Sequence, residues 1–189
     1  LIGGMSFNLM GRLNDKASDI STSWMPSIDT AREMDTTISN IRLNELGYLT
    51  AISSEGKESS LQYLQKEKEE MRALLAEYGE IIDKDERSYY EAAQKAWSEY
   101  DQADEKLIAL AKQGRTEQAR SILEGECVGL YNAVTSSFSD IIEYNTEGSD
   151  TETQESFSLY RTALIAQAAI MAATIIIGVY FSFIIIRGI

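Results

Sequence analysis

Residues 90–114, YEAAQKAWSEYDQADEKLIALAKQG, decide the fold. Tyr90, Ala93, Trp97, Tyr100, Leu107 and Leu110 recur at steps of three, four and seven, the spacing that lines one face of an α-helix. Lys112, Gln113 and Gly114 close it, a basic residue followed by glycine being a helix stop. Outward on both sides the period continues. After Gly114 a fourth helix opens with Thr116 as cap and carries Ile122, Leu123, Leu130, Val134, Phe138, Ile141 and Ile142. Before it, a second helix over about 57–82 carries Leu61, Leu64, Met71, Leu74, Leu75, Tyr78, Ile81 and Ile82, and the Asp83 to Asp85 cluster can cap the third. A first helix carries Trp24, Ile28, Met34, Ile38, Ile41, Leu46, Leu49 and Ile52. It ends in SSEGKESS, residues 53–60, where Gly56 and the serines give a turn and a new N-cap. No stretch alternates as a strand would. The expected fold is all-α, an up-down-up-down antiparallel four-helix bundle.

Helix lengths test that reading. The second and third helices differ by only a few residues, as antiparallel neighbours should. Counting ~28 residues, or ~42 Å, back from each distal turn reaches Trp24-Met25-Pro26 on the first helix and about Glu143 on the fourth. Beyond those points the chain turns polar: NDKASDISTS at 14–23 and EYNTEGSDTETQES at 143–156. A membrane-proximal extension of helices one and four fits, with Gly148 its weak point. From Ala163 to Ile186 the chain reads ALIAQAAIMAATIIIGVYFSFIII, 24 residues without a charge. As a helix this spans ~36 Å against a hydrocarbon core of ~30 Å, so a transmembrane helix is expected. The expected organisation is the end of a first transmembrane helix at 1–11, an extracytoplasmic sensor bundle at 12–160, and a second transmembrane helix with the start of a cytoplasmic linker at 161–189. Arg161 and Arg187 flank the second span on either side, so charge alone does not orient it.

Composition narrows function. The 189 residues include no His, one Cys and one Pro, and 17 Lys plus Arg stand against 30 Asp plus Glu, a net charge of −13. Without histidine there is no Ser-His-Asp or Cys-His apparatus and no imidazole metal ligand. Cys127 alone forms neither an internal disulfide nor a CxxC motif. The acidic balance argues against nucleic acid as a partner. Neither an enzyme, a cofactor nor a metal is expected.

The order of motifs resembles the periplasmic four-helix-bundle sensor domain of methyl-accepting chemotaxis proteins, the bacterial chemoreceptors. The resemblance is carried by Gly11-Arg12-Leu13-Asn14-Asp15, Trp24-Met25-Pro26 and Ile41-Arg42-Leu43-Asn44-Glu45. Further along it is carried by Trp97-Ser98-Glu99-Tyr100, the Leu107 to Gly114 turn, Ala119-Arg120-Ser121-Ile122-Leu123-Glu124-Gly125, and the terminal Ile-Ile-Ile-Arg-Gly-Ile at 184–189. It covers essentially the whole chain, by order and spacing rather than by one diagnostic motif. It implies a homodimer in the inner membrane, a periplasmic bundle that binds a small solute, and a cytoplasmic part that acts on a histidine kinase and its adaptor. The same sensor type also serves histidine kinases and nucleotide cyclases.

Arg42 is the first candidate for ligand binding. It follows Ile38 by four and precedes Leu46 and Leu49, so it borders or enters the core face, where a guanidinium is costly unless paired and where its planar fork suits a carboxylate. The resemblance implies the same, since first-helix arginines of the family clamp ligand carboxylates. An internal salt bridge to Glu45, Glu69 or Asp101 is the competing reading. At similar depth lie Arg72, Tyr100 and Tyr131, with Asn132 close by. Thr135, one turn lower, is placed by analogy with the fourth-helix hydroxyl of the family's aspartate receptor. Arg32 and Arg72 also read as solvated surface, and Tyr100, Tyr131 and Trp97 as core. The expected ligand is a small organic anion, such as a citric-acid-cycle intermediate, or an amino acid. The alternative is a dimerisation or partner-protein bundle in which Arg42 is structural.

Overall fold

The computed structural model describes residues 2–188, with side chains from residue 8 onward. Residue 1 and the side chains of residues 1–7, within the expected first membrane segment, lie outside the described residues. Helix α1 spans Ile2–Asp19 and passes through a π-helical turn, Ile20–Trp24, into α2, Met25–Thr50. The one proline explains the widened turn: Pro26 has no N–H to offer the carbonyl one turn back, and its ring crowds that carbonyl. Helix α3 spans Ser54–Ile81, α4 Arg87–Lys112, α5 Thr116–Glu124 and α6 Glu126–Gly188. No strand occurs among the described residues.

Two compact units emerge, Ser23–Glu147 and the residues up to Thr22 together with those from Gly148 onward. The limits of the first fall where the sequence turns polar. It is an antiparallel bundle of α2, α3, α4 and the α5–α6 strand of helix, with α2, α3 and α4 nearly equal at 26, 28 and 26 residues. Its centre is made of Met34, Ile38, Ile41, Met71, Tyr78, Tyr100, Leu107, Val134, Phe138 and Ile141, all fully buried.

The turns follow side-chain chemistry. Ser53 Oγ accepts the Gly56 N–H at 3.0 Å, so α3 starts at Ser54, ahead of the expected residue 57, and Gly56 lies inside its first turn. Asp83 Oδ1 accepts the N–H groups of Asp85 and Glu86 at 2.8 and 2.9 Å and leads the chain into α4. At the other end of α4, Gly114 takes φ +76°. The Arg115 N–H then reaches the Leu110 carbonyl and the Gly114 N–H reaches Ala111, each at 3.0 Å, covering carbonyls that a helix end leaves bare.

The expected unbroken fourth helix is corrected. It is interrupted at Gly125, where φ −107° and ψ −90° depart from the helical region. A Cβ there would meet the Ser121 carbonyl at 3.0 Å, so glycine suits the step. Three residues placed on the apolar stripes, Leu46, Ile52 and Ile81, are solvent-exposed, Leu46 at 42%.

In the second unit, Lys16 and Glu155 pair at 2.6 Å beside a cleft of 330 Å³ lined by Leu13, Ala17, Ile20, Phe157 and Tyr160. Helix α6 continues through Gly148 and carries the uncharged run Ala163–Ile186. Most of the large apolar side chains in this run, among them Ile175, Ile176, Val179 and Phe181, are exposed. Among the described residues one helix is long and apolar enough to cross a membrane, and this run is its core.

Candidate functional site

At mid-height the apolar core of the bundle is crossed by charge. Helix α2 contributes Arg42 and Glu45, α3 contributes Lys68 and Arg72, and α4 contributes Tyr100, Asp101 and Asp104. Glu45 follows Ile41 by four and precedes Leu49 by four, so the helical period turns it inward, and it is fully buried. Lys68 lies between Leu64 and Met71, and Asp104 between Tyr100 and Leu107, by the same arithmetic. Both are buried.

Such groups persist in a core only when paired. The Tyr100 hydroxyl donates toward both Glu45 carboxyl oxygens, 2.7 and 2.8 Å away. The Arg42 Nη1 group lies 3.4 Å from Glu45 Oε2, while Nη2 donates to the Leu123 carbonyl at 2.8 Å. Leu123 belongs to the last turn of α5, where a helix leaves carbonyls in want of partners. The arginine thus ties α2 to the interruption between α5 and α6. Lys68 donates to Asp104 Oδ2 at 2.8 Å and also pairs with Asp101, whose other oxygen takes Arg72 at 3.1 Å. Burial, then the neighbouring Asp104, push the Glu45 carboxyl up to about 8. Burial likewise raises Asp104, against the pull of Lys68. Burial and Glu45 raise the Tyr100 phenol. The Cys127 thiol, also sealed in the core, is pushed up to about 12.

The expected site residues separate into three places. Arg42, Tyr100 and Tyr131 come together: the guanidinium carbon is 6.0 Å from the Tyr131 ring centre, the two tyrosine rings are 6.4 Å apart, and Tyr131 Oη shares a hydrogen bond with Ser39 at 3.2 Å. Arg72 joins Lys68, Gln65 and Lys112 along a groove of 450 Å³ between α3 and α4. Asn132 is exposed, one residue around the helix from Tyr131. Thr135, one turn further along α6, donates to the carbonyl of Asn132 at 3.2 Å. Of the partners open to Arg42 in the sequence, Glu45 is the one it meets, while Asp101 is taken by Lys68 and Arg72. Glu45, Lys68 and Asp104 were not singled out as site residues, although each occupies a stripe position by spacing.

Residues 1–160 match the family described as a four helix bundle sensory module for signal transduction, and the chain belongs to that family. It is 22% identical to YvaQ of Bacillus subtilis (strain 168), a protein named as a sensory transducer, over an alignment of 190 residues that covers all of this chain and 33% of that protein. A second protein named as a sensory transducer, from Acetivibrio thermocellus, is 24% identical over 132 residues, 69% of this chain and 23% of that protein. The chain therefore spans a third or less of the length of these relatives. It is the sensory module of a chemoreceptor-type signal transducer.

Proposed function

We propose that this chain is the extracytoplasmic sensor of a homodimeric receptor that spans the cell membrane, that it binds a small organic anion, an organic acid or an amino acid, and that it drives chemotaxis through a cytoplasmic kinase and adaptor. The observation that carries the ligand reading is the state of Arg42. Its half-buried guanidinium is held by a neutral carbonyl and by a buried carboxyl at the long distance of 3.4 Å. A ligand carboxylate offers it a charged partner that can take two parallel hydrogen bonds from the fork, a geometry that adds both energy and specificity. Tyr131 and Ser39 stand beside it, and Thr135 and Asn132 continue along the same stretch of α6; Arg72 and Tyr100 belong to the same polar seam. On binding, Arg42 would leave the Leu123 carbonyl, and the α5–α6 interruption would lose its tie to α2. A ligand that favours one arrangement over the other shifts the population between them.

The dimer reading rests on α2. Met25, Asp29, Arg32, Thr36, Leu43, Leu46 and Thr50 fall on alternating steps of four and three and are exposed, Leu43 at 65%, while Ser39, at the step between Thr36 and Leu43, is half-buried against Tyr131. That is the spacing of a helix seam that awaits a partner helix.

The ligand reading is tested by titration calorimetry of the full chain in nanodiscs against a panel of organic and amino acids. A binder whose affinity falls tenfold or more in Arg42→Lys supports it. A panel without a binder, or a binder indifferent to Arg42→Lys, leaves the second reading, a bundle that recognises a partner protein and uses Arg42 as an internal strut. The bond to Leu123 already supplies that role.

A further inference from the structure

Glu45 of α2 and Asp104 of α4 bring their carboxyl groups within hydrogen-bond reach of each other inside the core. Glu45 is 0% and Asp104 1% exposed, so bulk solvent does not screen them from each other. Two carboxylates cannot hydrogen-bond; one of them must carry a proton. The other donors are already placed. Tyr100 and Arg42 serve Glu45, Lys68 serves Asp104 Oδ2, and Asp104 Oδ1 has no donor among the described residues. A proton on the facing carboxyl completes the set.

We propose that Glu45 and Asp104 bind one shared proton, and that this pair is a proton-sensing site through which the bundle responds to the pH outside the cell. The proton is here the ligand, and the inference stands whether or not an organic anion binds at Arg42.

Every helix around the pair sets its response. From α2, Arg42 favours the ionised form of Glu45. From α3, Lys68 favours ionised Asp104 but is shared with Asp101, and Arg72 is spent on the far side of Asp101. From α4, the Tyr100 hydroxyl stabilises a Glu45 carboxylate, whereas Asp101 adds a like charge beside Asp104. From α5 comes the Leu123 carbonyl, which accepts from Arg42. From α6, Cys127 stays neutral, and Glu126 is paired with Lys106 at 3.2 Å on the exposed side. Burial and the facing acid outweigh the cations, which places the exchange near neutral to mildly alkaline pH, with Glu45 at about 8. Loss of the proton sets two like charges against each other across α2 and α4. It also turns Glu45 into a full counter-ion for Arg42, in competition with the Leu123 carbonyl. Deprotonation thereby loosens the same tie to the α5–α6 interruption that holds α2.

The test uses the full chain in nanodiscs. Infrared difference spectra across a pH titration should show the stretch of a buried protonated carboxyl at acid pH, lost with a midpoint near 8. The band should be absent in Glu45→Gln and in Asp104→Asn, two variants that supply a neutral group of the same shape. In parallel, amide hydrogen exchange over residues 123–128, corrected for intrinsic pH dependence, should rise severalfold with the same midpoint in the native protein and stay flat in either variant. A native protein without the protonated-carboxyl band overturns the shared proton, and this needs no variant to fold. A band that titrates while exchange at 123–128 stays flat overturns the sensing role.

Discussion

The hydroxyl of Tyr100 lies almost equidistant from both carboxyl oxygens of Glu45, at 2.7 and 2.8 Å, and so links α4 to α2 through a group that no water reaches. Removal of that single oxygen isolates a buried acceptor. Tyr100→Phe should lower stability by about 1–3 kcal/mol, the cost of an unsatisfied buried polar group. The hydroxyl favours the ionised acid, so the same variant should move the Glu45 titration upward. Urea unfolding near neutral pH measures the first effect and an infrared titration the second. A variant as stable as the native protein would show the link to be dispensable.

The pH dependence of stability has a definite sign. Glu45 rises from 4.5 in the unfolded chain to about 8 in the bundle. Between those values the folded state holds the proton and the unfolded state does not, so stability falls as pH rises through this window and levels off above it. The support is fully present below the unfolded value. Thermal unfolding should show a midpoint that declines from about pH 5 to about pH 8 in the native protein, with a markedly shallower decline in Glu45→Gln. Parallel curves would assign the decline to other groups.

Gly79 on α3 is a packing position rather than a flexible one. A Cβ there would lie 2.5 Å from the Tyr90 hydroxyl, which is itself held by the Leu75 carbonyl at 3.0 Å and by Gln94 at 2.6 Å. In an open helix Gly→Ala gains about 1 kcal/mol. Gly79→Ala should instead destabilise by about 1–3 kcal/mol, the usual cost of an overfilled site, as read by chemical denaturation. Tyr90→Phe in the same chain should recover part of the loss.

The single native thiol is sealed in the core and pushed up to about 12, so it should resist alkylation in the folded protein and react at once in denaturant. Leu43→Cys then supplies the one accessible thiol, on the outer face of α2. Mild oxidation of that variant should give a disulfide-linked dimer on a non-reducing gel. A variant that stays monomeric while its new thiol remains reactive argues against the α2 seam.

Much of the bundle could be read from spacing, because burial repeats with the helix. The stripes through Met34, Ile38 and Ile41, or through Val134, Phe138 and Ile141, need no tertiary information. Some polar turn residues did almost as well, with Gly114 in the left-handed conformation and Asp83 leading into α4, whereas Thr116 is the first residue of α5 rather than its cap, Arg115 standing at the N-cap without a side-chain bond. The charged members of the core were harder to recognise. Position 45 continues the Ile38, Ile41, Leu49 series more faithfully than Leu46 does, but a reading that ranks residues by apolarity selects the leucine. Glu45, Lys68 and Asp104 each sit at a core step, and three such anomalies on three helices at one depth are a signal that spacing contains. Their partners are another matter, since Asp101 and Glu69 offered Arg42 the same chemistry as Glu45. The interruption at Gly125 also left no trace in the pattern, because Ile122, Leu123 and Leu130 keep the period on both sides. The bond from Arg42 to Leu123 depends on that interruption, so it too lay beyond the sequence.

The polar seam has an arithmetic of its own. Arg42, Lys68 and Arg72 face Glu45, Asp101 and Asp104, three positive groups against three acids. Fully ionised, the cluster is neutral; with one proton aboard it holds a single surplus positive charge in a medium that screens poorly. An incoming carboxylate would cancel that surplus. Anion and proton should therefore assist each other's entry, with a coupling that is equal in both directions, so acid surroundings would sharpen the response to an organic anion and a saturating anion would raise the pH at which the proton departs.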